Sequence, residues 1–381
     1  MHFAVHFAVH LSGLQIRHFR NLAEQQLDLP AEGVAIVGEN AQGKTNLLEA
    51  IYYLETFRSF RGSRDHRLVA FGEDFFRVVG SLDGAVAEDR VEVAAAFQTK
   101  GKRKKISLNG EEPERLGDAL GRVAAVAFSP ADVALVSDGP GARRRFLDIV
   151  LSLNSPGYLG SLQRFRQVLG QRNAALRDGR WSGTVEAWDE GLTESGARVM
   201  EGRFRWVEKW RENFSSYYQR VSGGLAAHLE YQPGVKLGGG RGREEIAEAF
   251  AAALLEARPR EVRLGTTVVG PQRDDLLLSV VDGDDHRDLR EYGSGGQRRT
   301  AALALRLVEA ATIREARGQE PIVLMDDVFA ELDPGRSERF LALMEEEETG
   351  QVLLTVPKES DIRLRRDSLP RWRIRDGTLE W

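Results

Sequence analysis

The sequence predicts an α/β fold in two lobes, one built on a mixed sheet and one mainly helical, with no long coiled coil. Three observations carry that prediction. The apolar run "GVAIVG" leads into "GENAQGKTN", residues 38 to 46, and then into "LLEAIYYLE", which has helical spacing. A second apolar run, "PIVLMDDVFAELD" at 321 to 333, ends in adjacent carboxylates. Between them lies a long middle rich in Arg, Ala, Leu and Glu that is patterned as helices.

Within the first stretch, Gly38, Glu39, Asn40, Ala41, Gln42, Gly43, Lys44 and Thr45 have the spacing of a phosphate-binding loop: Gly, four residues, then Gly-Lys-Thr. The glycines let backbone N–H groups curl around an anion. Lys44 reaches the β and γ phosphates, and the Thr45 hydroxyl is a ligand for Mg²⁺. Val34 to Val37 read as a buried strand, and Leu47, Leu48, Ile51 and Leu54 line one face of a helix whose positive N-terminus points at the phosphates.

The chain is long enough, at 381 residues with 42% hydrophobic and 29% charged, to bury a large core in two lobes. No segment approaches the roughly 20 consecutive apolar residues of a membrane span. The N-terminal "MHFAVHFAVHLSG" lacks a basic region followed by a long apolar core, so no membrane association and a cytoplasmic location are expected. The absence of cysteine excludes disulfides and thiolate metal sites. The tandem "HFAVHFAVH" alternates as a strand does and reads as a duplicated edge strand or a misread start.

A net charge of −5 and a pI near 5.9 mean that any nucleic acid must be met by local patches. Only 8 of the 53 basic residues are lysine, and half of those fall in "TKGKRKK", residues 99 to 105. Other basic clusters are "RSFRGSRDHR" at 58 to 67, "RRR" at 143 to 145 and "RFRQVLGQR" at 164 to 172. Solvated faces or hairpin tips explain such clusters as readily as DNA does.

Residues 14 to 128 are strand-rich, with "VEVAAAF" and "KKISLNG" expected to form a hairpin closed by Asn109-Gly110. From "SPADVALVSDGPG" through about 260 the pattern is helical, with Trp188, Trp206 and Trp210 at core-stripe spacing. Strands are expected again at "RLGTTVVG" and "DDLLLSVV", and "GVKLGGGRGREE" reads as a loop. The lobes are expected to be 1–128 with 320–381, and 129–319.

The C-terminal motifs extend the chemistry. Asp326, at a strand end, is placed to hold Mg²⁺, and Asp327 to polarise an attacking water. In "GSGGQRRTAALALRL", Ser294, Gly295, Gly296 and Gln297 open a helix and form a second anion site. Two anion sites beside a single nucleotide loop suggest that the second serves a partner chain, making an ATP-dependent homodimer part of the mechanism.

This ordered set resembles the ABC-type ATPase heads, in which Ser-Gly-Gly-Gln caps the γ-phosphate of the other subunit. "AELD" at 330 to 333 matches their D-loop, which implies an interface role for Asp333. Within that superfamily, residues from about 11 to 375 resemble the RecF family of DNA repair proteins. The resemblance is carried by "LQIRHFRNL", "GENAQGKTNLLEAIYYLE", "FRSFRGSRD", "FSPADVALVSDGPGARRRFLD", "QRNAALR", "TTVVGPQRDDLLL", "GSGGQRRTAALALRL" and "VLMDDVFAELD". Two departures stand out. Gln272 occupies a position where the family usually has histidine, and Ser294-Gly295 replaces a common Ser-Gln pair.

The resemblance implies an ATP-dependent dimer that binds double-stranded DNA and single-strand/double-strand junctions at gaps, and works with RecO and RecR to help load RecA. Asp327 is one methylene shorter than the glutamate of many ABC proteins, so slow turnover is expected. For DNA, the electrostatic candidates are Lys102, Arg103, Lys104 and Lys105 with Arg61 and Arg64, while Arg143 to Arg145 are candidates for pairing with acidic side chains instead. Other readings are an ATP-gated DNA clamp without significant hydrolysis, an SMC-like chromosome ATPase, which would need long heptad segments, and a transporter nucleotide-binding subunit, which would carry a switch histidine where "LLTVPKES" has Thr355.

Overall fold

The computed structural model of the protein describes residues 9–84, 90–178, 185–282, 285–347, 350–359 and 369–381. The chain forms two compact units. Unit one comprises Met1–Val133, Arg220–Gly224 and Ala302–Trp381; unit two comprises Ala134–Gln219 and Leu225–Ala301. In chain order the strands are β1 (His10–Arg17), β2 (Gln25–Asp28), β3 (Gly33–Val37), β4 (Phe75–Asp83), β5 (Val91–Gln98), β6 (Arg103–Leu108), β7 (Ala125–Phe128), β8 (Ala227–Gln232), β9 (Asp275–Asp282), β10 (Asp285–Asp288), β11 (Ile322–Asp326), β12 (Val352–Val356), β13 (Arg371–Arg375) and β14 (Thr378–Glu380). Most of the N-terminal "HFAVHFAVH" repeat lies outside the described residues; its last histidine, His10, opens β1.

Unit one holds two sheets. One is antiparallel, in the order β2-β1-β4-β5-β6; the other runs β14-β13-β3-β12-β11-β7 and is parallel except for the β13–β14 hairpin. Strands β3, β7, β11 and β12 are buried throughout, which is why they read as unbroken apolar runs. Helix Lys44–Thr56 packs against strands of both sheets. It is therefore buried around its circumference, with Glu49, Ala50, Tyr52 and Tyr53 inside as well as Leu47, Leu48, Ile51 and Leu54, and not on the single face its spacing suggested. A helix between two sheets has no solvent side, so its acids need partners. Glu49 accepts from Arg20 at 3.0 and 3.1 Å and from Ser59 at 2.5 Å. Glu55 accepts from the Ala124 amide at 2.8 Å and Arg317 at 3.3 Å; burial pushes its carboxyl above the usual range and Arg317 opposes the shift.

Strands β5 and β6 pair as expected, but the turn joining them is Thr99–Lys102 and not Asn109-Gly110. Gly101 (φ 79) and Lys102 (φ 49) take the left-handed backbone that lets the chain reverse there. Asn109 (φ 50) and Gly110 (φ 84) form another tight turn past the end of β6, with Leu108 and Glu111 exchanging backbone bonds. The Asn-Gly signal marks a real turn; the strand it closes is a single bridge.

Unit two is built from helices Pro140–Asn154, Tyr158–Asp178, most of Asp189–Ser222 and Arg243–Leu264, with the sheet β10-β9-β8. Trp206 and Trp210 are buried and Trp188 is half-buried. "RLGTTVVG" is not a strand. The helix continues to Leu264 and ends on left-handed Gly265 (φ 65), and Gly270 (φ 114) turns the chain again, so glycine geometry overrides the β-propensity of the Thr-Val run. Strand β8, not anticipated, has a clean buried-exposed alternation that "AHLEYQ" does show.

Several arginines are structural, Arg143 and Arg172 of the basic clusters among them. Buried Arg203 donates to Asp148 at 2.8 Å, Asp274 at 2.5 Å and the Pro271 carbonyl at 2.8 Å. Asp274 also accepts from Tyr231 and, at 2.7 Å, from the Gly234 amide. Arg143 forks onto Asp275 at 2.8 and 2.9 Å, and fully buried Arg172 reaches Asp189, Glu261 and Thr267, each at 2.8 Å.

Candidate nucleotide site

The loop after β3 is shaped by contacts far away in sequence. A Cβ on Gly38 would lie 2.7 Å from both the Ile374 side chain and its carbonyl oxygen, so only glycine admits the close approach of β13. Gly43 adopts φ 114 at the start of the helix, again a glycine conformation. Asn21 donates to the Ala41 carbonyl at 3.2 Å and accepts from Asn46 at 2.6 Å. On the other side, the tight turn of the β13–β14 hairpin donates the Asp376 amide to the Gln42 side chain at 2.6 Å and the Gly377 amide to the Gln42 carbonyl at 2.9 Å. Glu39 and Asn40 are exposed at the loop tip.

Lys44 is 4% exposed, and its ammonium donates to the Gly38 carbonyl at 2.6 Å and the Glu39 carbonyl at 3.2 Å. The same nitrogen lies 3.8 Å from Asp327 Oδ2. Thr45 Oγ1 donates to Asp326 Oδ1 at 2.8 Å, so residues from the first and last thirds of the chain meet at one point. Asp326 ends β11 and Thr355 is its register partner on β12. Thr355 Oγ1 lies 3.2 Å from Asp326 Oδ1 and accepts the Asp327 amide at 3.1 Å. It thus orients both carboxylate residues, a role that inspection of the sequence missed because Thr355 carries no local motif. Asp327 itself sits in left-handed backbone (φ 46), a strained conformation for a residue with a side chain. Burial raises the Asp326 carboxyl above the usual range; hydrogen bonds from Thr45 and Thr355, with the Arg61 and Lys44 charges, oppose that.

This donor set fits Mg²⁺. A hydroxyl and one carboxylate supply hard oxygens at one edge and leave the remaining positions for phosphate and water, the way this ion is usually held. Among the described residues no group of three or more His, Cys, Asp or Glu gathers as an all-protein cage.

In unit two, Ser294 and Gln297 form a reciprocal cap: the Ser294 amide donates to Gln297 Oε1 at 2.8 Å and the Gln297 amide donates to Ser294 Oγ at 3.2 Å. Ser-x-x-Gln is the capping-box pattern, so the motif also starts its helix, Gly295–Arg317. Nothing lies within 4 Å of where a Gly295 Cβ would be, so packing does not require glycine there. Gln272, also in unit two, donates to the Val269 carbonyl at 2.7 Å. Asp333, in unit one, caps helix Pro334–Glu346 by accepting the Arg336 amide at 2.9 Å, which holds its carboxyl below the usual range.

The basic candidates divide. Lys104 is engaged within the fold, donating to the Phe57 carbonyl at 2.7 Å, pairing with Asp65 at 2.8 Å and lying over the Tyr53 ring. Lys105 pairs with Glu112 at 2.9 Å, and Arg61 bonds Asn46 at 3.2 Å beside the nucleotide helix. Lys102, Arg103 and Arg64 are exposed.

The sequence matches the RecF/RecN/SMC N-terminal domain family over residues 10–369. The DNA replication and repair protein RecF of Synechococcus sp. (strain JA-3-3Ab) is 38% identical over 346 residues, 89% of each chain. That of Anaeromyxobacter sp. (strain Fw109-5) is 39% identical over 337 residues, 88% of this chain and 89% of the other. A solved structure of the recombination mediator protein RecF with ATP, in the RecFOR pathway, superposes with a TM-score of 0.89 at 31% identity, covering 100% of this chain and 99% of that one. The Smc head domain of Pyrococcus furiosus, at 18% identity and a TM-score of 0.56, shares the fold.

Proposed function

The chain belongs to the RecF family of DNA replication and repair proteins, and from that premise we propose that it is an ATP-dependent, dimeric DNA-binding protein of recombinational repair with slow ATP hydrolysis. The observation that carries this reading is the meeting of Thr45 with Asp326 beside buried Lys44 and half-buried Asp327. In the proposal, Lys44 and the loop amides neutralise and orient the triphosphate, Thr45 and Asp326 hold Mg²⁺, and Asp327 orients water. The metal would supply charge neutralisation as phosphate negative charge develops. Ser294 to Gln297 act on a partner chain's nucleotide, with Gly295 leaving room for the approach, and Asp333 lies at the same interface. The partners are double-stranded DNA and single-strand/double-strand junctions, with RecR and RecO, in the cytoplasm, helping to load RecA. An ATP-gated clamp with negligible hydrolysis is favoured by the short Asp327 side chain, and phosphate release in the presence of DNA separates the two.

The test is sedimentation velocity of the Asp327→Asn protein with a labelled duplex, in Mg-ATP and in Mg-ADP. A dimer carrying the duplex only in ATP is expected. A monomer in both nucleotides overturns the trans arrangement.

Gln42→Ala removes the side-chain bond to the Asp376 amide and is expected to weaken ATP binding by roughly three- to tenfold, the range for one hydrogen bond, in calorimetric titration. Neutralising Lys102 and Arg103 together is expected to weaken duplex binding equally for all sequences. The log-affinity against log-salt slope should flatten by about one for each DNA phosphate that these cations no longer neutralise.

A further inference from the structure

Phe71 is the most exposed large apolar side chain among the described residues, at 107%. It stands at the second position of a tight turn, Ala70 to Glu73, closed by the Glu73 amide on the Ala70 carbonyl at 3.1 Å. Gly72 at the third position takes φ 86, as a type II turn requires, with nothing within 4 Å of its missing Cβ. The base of the turn is fixed, because the Ala70 amide donates to the His18 carbonyl at 2.8 Å. A rigid turn thus holds an aromatic ring out into solvent.

The surroundings are cationic rather than apolar. The Asp74 carbonyl accepts from the Thr99 amide at 2.8 Å and the Thr99 hydroxyl at 2.7 Å, which ties the β5–β6 tip to the strand that follows the Phe71 turn. Lys100, Lys102 and Arg103 of that tip are exposed, and the ion pairs the hairpin makes among the described residues are those of Lys104 and Lys105. On the sheet beside it, Arg17 and Arg77 are directly opposed on β1 and β4. Arg17 lies over the Phe75 ring and also pairs with Glu24. The acids of the turn are Glu73, facing His18 at 3.6 Å, and exposed Asp74.

A protein interface would present a contiguous apolar patch, whereas one aromatic ring among flexible cations is how single-stranded nucleic acid is held. Base pairs inside a duplex are stacked on both faces; a free face exists only at an end or where double strand gives way to single strand. We propose that Phe71 stacks on the exposed base at such a junction while Lys100, Lys102 and Arg103 hold the adjoining phosphates. This rests on the DNA-binding reading above and adds the residue that tells a junction from a continuous duplex.

The test uses the full chain in Mg-ATP and a closed circular duplex with and without a single-strand gap, the gapped form carrying 2-aminopurine at the junction base. Wild type and Phe71→Trp are expected to prefer the gapped circle and to change the 2-aminopurine fluorescence. Phe71→Ala is expected to lose roughly five- to a hundredfold in affinity for the gapped circle, together with the fluorescence change, while closed-circle binding and ATP hydrolysis stay the same. Wild-type behaviour of Phe71→Ala on both circles overturns the proposal and leaves DNA binding intact. Equal loss on both circles overturns it too. Wild type that binds neither circle removes the DNA-binding reading and the proposal with it.

Discussion

Asp327→Asn is expected to lower ATP hydrolysis by roughly 10²-fold or more, the usual range for a positioned acid or base, while ATP binding and ATP-induced dimerisation persist. The amide matches the carboxylate in shape but can neither accept a proton nor balance the Lys44 ammonium 3.8 Å away. The metal-side contacts, Thr45 to Asp326 and Thr355 to Asp326, do not involve the Asp327 side chain. The loss should therefore fall on kcat with KM little changed, read by single-turnover phosphate release. Full activity in the variant removes Asp327 from the role.

Asp274→Ala is expected to destabilise the protein by about 3–5 kcal/mol, the range for removing one member of a buried ion pair. The substitution strands three donors at once: the Arg203 guanidinium, the Tyr231 hydroxyl and the Gly234 amide. Arg203 keeps Asp148, so the guanidinium is not left wholly uncompensated. The measurement is the shift in the urea midpoint followed by tryptophan fluorescence, since Trp206 and Trp210 are buried in the same unit. A surface-like change of under about 0.5 kcal/mol would show that the network is not what holds β8 and β9 in place.

Much of the nucleotide site was legible before the fold was known. The Gly-x₄-Gly-Lys-Thr spacing, the apolar strand before it and the strand ending in Asp326 all depend on neighbours a few residues apart, and the structure has them where the pattern put them. The Ser294 to Gln297 stretch was legible as an anion site but equally spelled a capping box, and the structure shows the cap. Less legible was the brace on the phosphate loop. Gln42 meets Asp376 and Gly377, and Gly38 meets Ile374, across more than three hundred residues of chain, and no local pattern in "RWRIRDGTLEW" announces a partner.

The sequence alone determined the elements whose cause is local: backbone freedom at glycine, the alternation of a half-buried strand, and the hydroxyl, amine and carboxylates of a phosphate site. Tertiary structure decided which side chains face water. Arginine suits an exposed phosphate contact and a buried carboxylate fork equally well, so "RFRQVLGQR" reads as surface charge although Arg172 lies inside unit two, paired with Asp189 and Glu261, whereas the acidic pairing expected for "RRR" is made by Arg143 on Asp275. Helix Lys44–Thr56 looked one-sided until sheets closed over both of its faces. Both outcomes depend on which distant segments pack together. Burial sets the energy of a charge, and burial is a property of the assembled fold rather than of any window of residues.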